Sequence, residues 1–347
     1  MKSKILLIAT GGTIAGVQPE SAAEANDDSN YTSGVLSGEE LVRDLHNYAS
    51  SLPNEMNADV LDAVDITCMQ LCNKNSDDID HSDWLRLLAT ITDNKDSYDA
   101  IIITHGTDTL EETGFFLEKT VSCRIPIIIT CAMYPATSPN ADGPKNLYDS
   151  IALAYRYSKG EFAPNFLSNI MLVFNGKVLP AGSITKEYLP AFRCASDLLD
   201  GSAATGTPSE CVNTGEFTFS VVDITSEWLA SSPSHFDISL LHAPYEPVPI
   251  AYFSANADAG VLYYYVNQLH TKAVVIAGAG AGEFSLSWLS AVSELCKQGV
   301  KFIRTSKINK APVNTNERLS ANTIDAGNMS PEKASILASL LLAFDLL

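Results

Sequence analysis

MKSKILLIATGGTIAG, residues 1–16, is the stretch from which the fold can be worked out. Its apolar run, residues 5–9, predicts a buried parallel strand, and Thr10-Gly11-Gly12-Thr13 follows directly. Two glycines and a hydroxyl group at the C-terminal edge of a sheet are typical of an exposed nucleophile. A plain strand–helix turn and a nucleotide-binding glycine loop show the same pattern, so this stretch alone leaves three alternatives open.

The length and composition describe a globular protein of two domains. The chain has 347 residues, of which 46% are hydrophobic and 18% charged, which is enough for two cores. Its formal net charge of −19 argues against nucleic acid or an anionic membrane surface as a partner, because both require basic patches. A small soluble substrate is compatible with this charge.

Membrane and secretion signals are weak. No apolar run reaches the ~20 residues of a membrane span, and residues 335–347 predict a short amphipathic packing helix. Lys2-Ser3-Lys4 before an apolar run resembles a signal peptide, but cleavage there would remove the glycine turn. We therefore expect no cleaved leader.

Seven cysteines are scattered along the chain: Cys68, Cys72, Cys123, Cys131, Cys194, Cys211 and Cys296. Cys68 and Cys72 have no second pair or histidine cluster nearby, so we expect no metal site. Reduced thiols in a cytoplasmic protein are the simplest interpretation.

Strand and helix patterns alternate along the chain. Strands are predicted over residues 60–69, 99–104, 125–130, 170–174, 249–253, 273–277 and 300–305, and a hairpin around residues 214–222. Helices are predicted over residues 39–51, 82–92, 145–158, 258–269, 284–298 and 331–343, with one more carrying Leu110, Gly114 and Leu117. Ser37 with Glu40 predicts a capping box for the first helix, and Asp108 with Glu111 an N-cap pair for the helix at Leu110.

This alternation predicts the α/β class, with a doubly wound, mostly parallel sheet in a larger N-terminal domain, residues 1–222. Residues 223–248, rich in Ser and Pro, predict a linker. A smaller C-terminal α/β domain follows, residues 249–347. The long polar segment 17–34 in the first domain is typical of a functional loop, often a lid.

Two threonine-bearing turns follow two buried strands: Gly11-Gly12-Thr13 and Gly106-Thr107-Asp108. Strand C-termini in an open α/β sheet converge on one crevice, so the two threonines could face each other. Backbone N–H groups at such helix starts favour an anion, such as a substrate carboxylate or a developing oxyanion. The pattern indicates acyl transfer on a small anionic substrate.

A threonine hydroxyl is a poor nucleophile and needs a base. His105 lies beside the second turn, although a packing role is the more common one for such a histidine. A lysine with a depressed pKa is the other route. Lys177 and Lys186 both follow strand 170–174, and spacing does not choose between them.

A competing motif is Gly278-Ala-Gly280-Ala-Gly282, which resembles half of a dinucleotide fingerprint. The Gly-x-Gly-x-x-Gly spacing is missing, and the next strand ends in Arg304-Thr305 instead of an acidic residue. A nucleotide-binding dehydrogenase is therefore disfavoured.

Taken together, these residues closely resemble the bacterial-type L-asparaginase family over nearly the whole chain. The resemblance is carried by Ala9-Thr-Gly-Gly-Thr-Ile-Ala-Gly16, Ser29-Asn-Tyr-Thr32, Ile103-Thr-His-Gly-Thr-Asp-Thr109 with Glu111-Glu112-Thr113, and Ala141-Asp-Gly-Pro144 with Asn146-Leu-Tyr148. Ile184-Thr-Lys186 and Ser254-Ala-Asn256-Ala257 are weaker matches.

The resemblance implies catalytic roles for five residues. Thr13 is the implied primary nucleophile, and Tyr31, on the lid, orients it. Thr107, Lys186 and Asp108 resemble a second triad, in which Lys186 polarises Thr107 and Thr107 handles water or a proton. Asp108 also holds the substrate ammonium group.

The same resemblance implies a set of substrate-binding positions. Ser76 matches the position that binds the substrate α-carboxylate, and the backbone of Ala132 the position that contacts the side-chain amide. Asn256 is a further substrate-binding candidate. Glu317 is the nearest match, out of register, to the acid that the family donates across a dimer interface.

Three positions depart from the family pattern. Asp77 stands where secreted members usually carry Gln, so we expect an altered preference between asparagine and glutamine. Secreted members often pair a cysteine aligned with Cys123, but the partner position here is near Lys95, which implies a disulfide-free, cytoplasmic enzyme. Residues 193–213 also differ and could alter subunit contacts.

The implied reaction is the hydrolysis of L-asparagine to L-aspartate and ammonia without a cofactor, by a homotetramer or homodimer with sites between subunits. A glutamine-preferring relative and the amidohydrolase part of a tRNA-amidating complex share this chemistry. The latter usually carries an extra N-terminal domain, whereas this sequence begins directly with the nucleophile turn. A non-catalytic amino-acid-binding protein would leave the threonines idle.

Overall fold

The computed structural model describes residues 2–21, 28–51, 60–162, 169–189, 216–241 and 243–347. These residues form two α/β domains, a larger N-terminal one with a six-stranded sheet and a smaller C-terminal one with a four-stranded sheet. The predicted fold class is confirmed. The predicted boundaries, 1–222, 223–248 and 249–347, stay a prediction.

The N-terminal sheet has the order β2-β1-β3-β4-β5-β6, with β1 at an inner position. Its first five strands are parallel, and β6 runs antiparallel to β5. The six strands are β1 Ser3–Gly11, β2 Val64–Lys74, β3 Ala100–Thr104, β4 Ile127–Thr130, β5 Ile170–Phe174 and β6 Lys177–Pro180. The chain order reverses between β1 and β3, which is where an open α/β sheet forms its ligand crevice.

Four helices cover both faces of this sheet: α1 Gly38–Ser51, α2 His81–Asn94, α3 Leu110–Thr120 and α4 Gly143–Ser158. Leu6 and Ile8 of β1 point into a core with α2 and α3. Ile5 and Leu7 point to the other face, into a core with α1 and α4. Burial on both faces explains why the strand sequence is apolar without alternation.

Two further strands, β7 Ile184–Leu189 and β8 Glu216–Val221, pair antiparallel beside the main sheet. The hairpin predicted around residues 214–222 is thereby confirmed, although its connecting residues 190–215 lie outside the described ranges. Strand β7 carries Lys186, one of the two lysines that the sequence left as alternatives.

The C-terminal sheet has the order β12-β11-β10-β9, and all its strands are parallel. Its strands are β9 Ile250–Tyr252, β10 Ala273–Gly278, β11 Lys301–Ser306 and β12 Ile324–Asp325. The helices of this half are α5 Glu227–Ser231, α6 Gly260–Asn267, α7 Leu286–Cys296, α8 Glu317–Ser320 and α9 Pro331–Ala343. Helices α6 and α7 cover one face. Helix α9 covers the other and joins the core of the N-terminal domain.

The predicted linker, residues 223–248, contributes buried side chains to the core that both domains share. Phe236, Tyr245 and Val248 are each at most 7% exposed and belong to the same cluster as Leu6 and Ile8. This segment therefore packs on the domains that it connects.

Two local predictions have different outcomes. The capping box of α1 is confirmed, because Glu40 accepts from the backbone of Ser37 and Glu40 N donates to Ser37 Oγ. The N-cap pair of Asp108 and Glu111 is wrong. Helix α3 has Thr109 at its N-cap without a side-chain bond, and the carboxylate of Asp108 pairs with Lys186 instead. No helix in the described part of the chain is long and apolar enough to cross a membrane.

Helices α3 and α9 meet at the contact between the domains, and Glu112 of α3 lies there. Burial, followed by the charges of Glu332 and Glu111, raises the pKa of Glu112 to about 7, while Lys333 lowers it in part. The folded protein thus holds this proton more tightly than the unfolded chain does.

We expect this group to make stability depend on pH. Its contribution is complete below the unfolded pKa of about 4.3 and is lost as the pH rises through about 7. Between pH 5 and pH 8 the free energy of unfolding should fall by on the order of 1 to 3 kcal/mol through Glu112, and Glu112→Gln should flatten this fall. Chemical denaturation at both pH values measures it, with the exposed Glu246→Gln as control. Parallel profiles for wild type and Glu112→Gln would contradict the assignment.

Candidate active site

The two threonine turns touch each other through glycine backbone. A Cβ on Gly12 would lie 2.6 Å from Cα of Gly106, so neither a side chain nor water separates the turns here. Gly11 and Gly12 have φ values of 107° and 80°, in the region that favours glycine. Gly12 N donates to the carbonyl of Lys74, which fixes the turn to β2. The convergence of the two strand ends that the sequence predicts is confirmed.

Thr13 is the first residue of a single 3-10 turn, Thr13–Ala15, and is 9% exposed. Its Oγ1 lies 2.8 Å from the phenolic oxygen of Tyr31. Two backbone hydrogen bonds between Val17 and Thr32 bring Tyr31 back over the turn. Gly16 leaves room for the ring, because a Cβ there would lie 2.7 Å from Tyr31 Cδ2. Residues 22–27 of the predicted lid lie outside the described part of the chain.

The second turn is joined to Lys186. Lys186 Nζ donates to Thr107 Oγ1 at 2.8 Å and to Asp108 Oδ1 at 2.6 Å. The ammonium also lies over the ring of Phe217, 4.7 Å from its centroid. Of the two lysines that spacing left open, Lys186 contacts Thr107, whereas Lys177 is exposed at the start of β6. Phe217 of β8 is a neighbour that the sequence did not predict.

Ser76 connects β2 to the second turn. It is 3% exposed, and its Oγ accepts a hydrogen bond from Asp108 N at 3.0 Å. The carbonyl of Ser76 accepts from Thr109 Oγ1 at 2.6 Å. Within the described residues the Ser76 hydroxyl accepts this bond and donates none, so its O–H proton can be donated to an anion. Asp77, the next residue, is exposed, and its effect on substrate preference stays a prediction.

His105 packs under the second turn. It is 1% exposed. Its Nδ1 lies 2.7 Å from the carbonyl of Gly106 and its Nε2 3.0 Å from Thr113 Oγ1. Burial lowers the pKa of His105, which favours the neutral ring. With both nitrogens engaged, His105 supports the turn and is not available as a base.

Ala132 is completely buried. Two side chains hold the backbone on either side of it: Asp142, just before α4, and Asn146, within α4. The carboxylate of Asp142 accepts from the N–H groups of Met133 and Tyr134. Asn146 Nδ2 donates to the carbonyl of Cys131 at 3.0 Å. Burial raises the pKa of Asp142, against these hydrogen bonds, which lower it. The motif around residues 141–148 pointed to both residues, but their positioning of Ala132 required the structure.

Asn256 and Glu317 lie exposed in the C-terminal domain. Asn256 is in a turn closed by the bond from Ala257 N to Ser254 O, and Glu317 is the first residue of α8. Within the described chain neither makes a hydrogen bond or ion pair with Thr13 or Lys186. Their roles in substrate binding stay predictions.

The glycine motif at residues 278–282 forms a closed turn. A Cβ on Gly278 would lie 2.6 Å from the carbonyl oxygen of Gly282, and Ala279 and Glu283 form an antiparallel bridge. Ser306 Oγ donates to the carbonyl of Gly280. The close contacts within the turn explain why its sequence is rich in glycine.

The cysteines of the described residues are free thiols: Cys68, Cys72, Cys123, Cys131 and Cys296. Cys194 and Cys211 lie outside the described ranges, as does the divergent segment 193–213. Lys95 Nζ donates to the carbonyl of Ser122, beside Cys123. Across the described residues, no three His, Cys, Asp or Glu side chains are grouped so that they could hold a metal ion.

The comparisons with known proteins define the class as an amidohydrolase. Residues 4–195 match the family described as "Asparaginase, N-terminal", and residues 247–345 match the "Glutaminase/Asparaginase C-terminal domain". The chain belongs to the asparaginase family.

Similar proteins cover nearly the full chain. L-asparaginase 2 of Escherichia coli (strain K12) is 28% identical over 341 residues, covering 97% of this chain and 88% of its own length. The glutaminase-asparaginase of Acinetobacter glutaminasificans is 28% identical over 354 residues, covering 98% and 95%. A crystal structure described as a probable cytoplasmic L-asparaginase from Campylobacter jejuni has a TM-score of 0.73, with 28% identity and coverage of 98% and 95%.

Gly16 gives a test of the Tyr31 placement. Its φ of −83° and ψ of 145° suit alanine, so the strain in Gly16→Ala arises from the clash with the Tyr31 ring and with the carbonyl of Thr13. We expect kcat for amide hydrolysis to fall about 10- to 100-fold.

If the added methyl group acts by displacing Tyr31, the double variant Gly16→Ala/Tyr31→Phe should be no slower than Tyr31→Phe alone. Steady-state ammonia release by the three variants measures this. Multiplicative losses in the double variant would show that Gly16→Ala acts elsewhere.

Proposed function

We propose that this enzyme is an L-asparaginase that hydrolyses L-asparagine to L-aspartate and ammonia through an acyl-enzyme on Thr13, with secondary glutaminase activity. The observation that carries the proposal is a pair of threonine turns in backbone contact, one bonded to Tyr31 and the other to Lys186 and Asp108. The family assignment supports the substrate class.

In the first half-reaction, Thr13 Oγ1 attacks the side-chain amide carbon. Its proton passes by way of Tyr31 towards the amide nitrogen, the C–N bond breaks, and ammonia leaves. Backbone N–H groups around the Thr13 turn stabilise the oxyanion, and one such donor is typically worth about 2.7–4 kcal/mol.

In the second half-reaction, water attacks the ester carbon. Thr107 takes up the proton of this water and passes its own hydroxyl proton towards Thr13 Oγ1, with Lys186 polarising the Thr107 hydroxyl from 2.8 Å. The ester bond breaks, Thr13 regains its proton, and aspartate leaves. A positioned acid or base contributes about 10²–10⁴-fold to such steps.

Substrate recognition uses the polar groups beside the second turn. The Ser76 hydroxyl donates to the α-carboxylate. Asp108 binds the α-ammonium group, because its carboxylate is accessible to the substrate. Its side chain is 65% exposed, whereas that of Lys186 is 17% exposed, and its Oδ1 takes the lysine bond. Asp77 adds negative charge next to this site.

Assembly and location follow as further parts of the proposal. We infer a homotetramer or homodimer with sites between subunits, because Asn256 and Glu317 are exposed and, among the described residues, make no hydrogen bond or ion pair with Thr13 or Lys186. A cytoplasmic location agrees with the free thiols and with the description of the Campylobacter jejuni structure. One relative, from Haemophilus influenzae, is described as periplasmic.

Ammonia release from asparagine and from glutamine tests the proposal. Thr13→Ala removes the nucleophile and Lys186→Met removes the ammonium from Thr107. We expect kcat losses of at least about 10³-fold and about 10²-fold respectively. Lys177→Met is the matched control, since Lys177 precedes β7 but lies exposed, and it should keep wild-type turnover. Wild-type turnover by Thr13→Ala would refute the nucleophile assignment.

A further inference from the structure

Lys333 is a buried cation that the reaction scheme does not use. It lies in the first turn of α9, in the C-terminal domain, and is 2% exposed. Its Nζ donates at 2.5 Å to the carbonyl of Ile184, the first residue of β7. A lysine is almost never fully buried without a partner, and this one crosses 149 positions of sequence to reach the strand that carries Lys186.

Carboxylates surround Lys333 from two helices. Burial lowers the pKa of Lys333, and the charges of Glu111, Glu118, Glu332 and Glu112 raise it in part. Three of these glutamates belong to α3, and Glu332 precedes Lys333 on α9. The arrangement couples the C-terminal helix to the helix that begins just after Thr107 and Asp108.

Glu111 links this cluster to Lys186. It lines one cavity together with Thr185 and Lys186 of β7. Its Oε2 is buried without a hydrogen-bond partner among the described residues. An unpaired buried carboxylate oxygen is costly. Burial raises the pKa of Glu111, and the positive charge of Lys333 opposes this by stabilising the ionised carboxylate.

A cavity lies beside Lys186, between the two domains. It has a volume of about 320 Å³ and is lined by Lys186, Glu111 and Asp108 together with Tyr252 and Glu332 of the C-terminal half. Strand β8 pairs with β7 along its length. The bond from Lys333 to Ile184 adds a contact from the C-terminal domain to the start of β7.

We propose that Lys333 is a positioning residue for Lys186: its ammonium, balanced by the charge of Glu111, holds the carbonyl of Ile184 at the start of β7 and so fixes the Lys186 ammonium against Thr107. The inference rests on the proposed function. A displacement of about 1 Å of a reacting group can cost on the order of 10²-fold in rate. Removing the contact between Lys333 and β7 is expected to lower the rate by up to this factor.

The test compares Lys333→Met with Ser339→Ala. Ser339 is a matched control on the same helix: it is 1% exposed and accepts from the backbone N–H of Val248, away from β7. Both variants lose a buried polar group of α9 and its hydrogen bonds. We expect Lys333→Met to lower kcat about 10- to 100-fold with KM within about threefold of wild type, and Ser339→Ala to keep kcat. Rates are normalised to the folded fraction measured by circular dichroism.

A second comparison separates positioning from loss of structure. In a Lys186→Met background, adding Lys333→Met should not reduce the residual rate further, because the residue on which it acts is already gone. If Lys333→Met lowers kcat by the same factor in the Lys186→Met background as in the wild-type background, Lys333 has a general structural role. Glu111→Gln covers the case in which Lys333→Met fails to fold, and should lower kcat about threefold to tenfold.

The outcomes distinguish this inference from the proposed function. Wild-type kcat in folded Lys333→Met, or in Glu111→Gln if the first variant does not fold, overturns the inference alone. Equal losses of kcat in Lys333→Met and Ser339→Ala also overturn it. Wild-type kcat in Lys186→Met would instead overturn the role of Lys186.

Discussion

The backbone contact between Gly12 and Gly106 is the constraint on which the rest of the site depends. Strands β1 and β3 are parallel neighbours, so their C-terminal ends lie side by side at the reversal of strand order. A Cβ on Gly12 would lie 2.6 Å from Gly106 Cα, so the turns meet this closely only because residue 12 is glycine. Thr13 and Thr107 follow these glycines directly, and both therefore face one crevice.

Each reactive group around this contact is oriented by an element that does no chemistry itself. The backbone bonds between Val17 and Thr32 carry Tyr31 to Thr13. Strand β7 carries Lys186 to Thr107, and helix α9 reaches that strand from the other domain through Lys333. Breaking one partner of such a buried charged contact is strongly destabilising, so the same groups bear on stability and on geometry.

The sequence was sufficient for the fold, because parallel strands buried on both faces are continuously apolar and alternate with amphipathic helices. The sequence did not show which side chains pair across long distances in the chain. Lys186 bonds to a threonine 79 positions away, and spacing left Lys177 as an alternative until the family resemblance was used. The N-cap pair predicted for Asp108 was wrong for the same reason, since the residue that competes for its carboxylate is distant in sequence. No sequence pattern around Lys333 or Ile184 predicts the contact between them.

The central claim is that Thr13 becomes acylated and that Thr107 assists the water that releases it. Thr107→Val keeps the shape of the side chain and removes the hydroxyl, so the acyl-enzyme should accumulate. After mixing with asparagine, quenching in acid and digestion, mass spectrometry should find one aspartyl group on the peptide that contains Thr13. Thr13→Ala/Thr107→Val should show none. An aspartyl group on any other residue, or an adduct of equal yield in the double variant, would contradict the account.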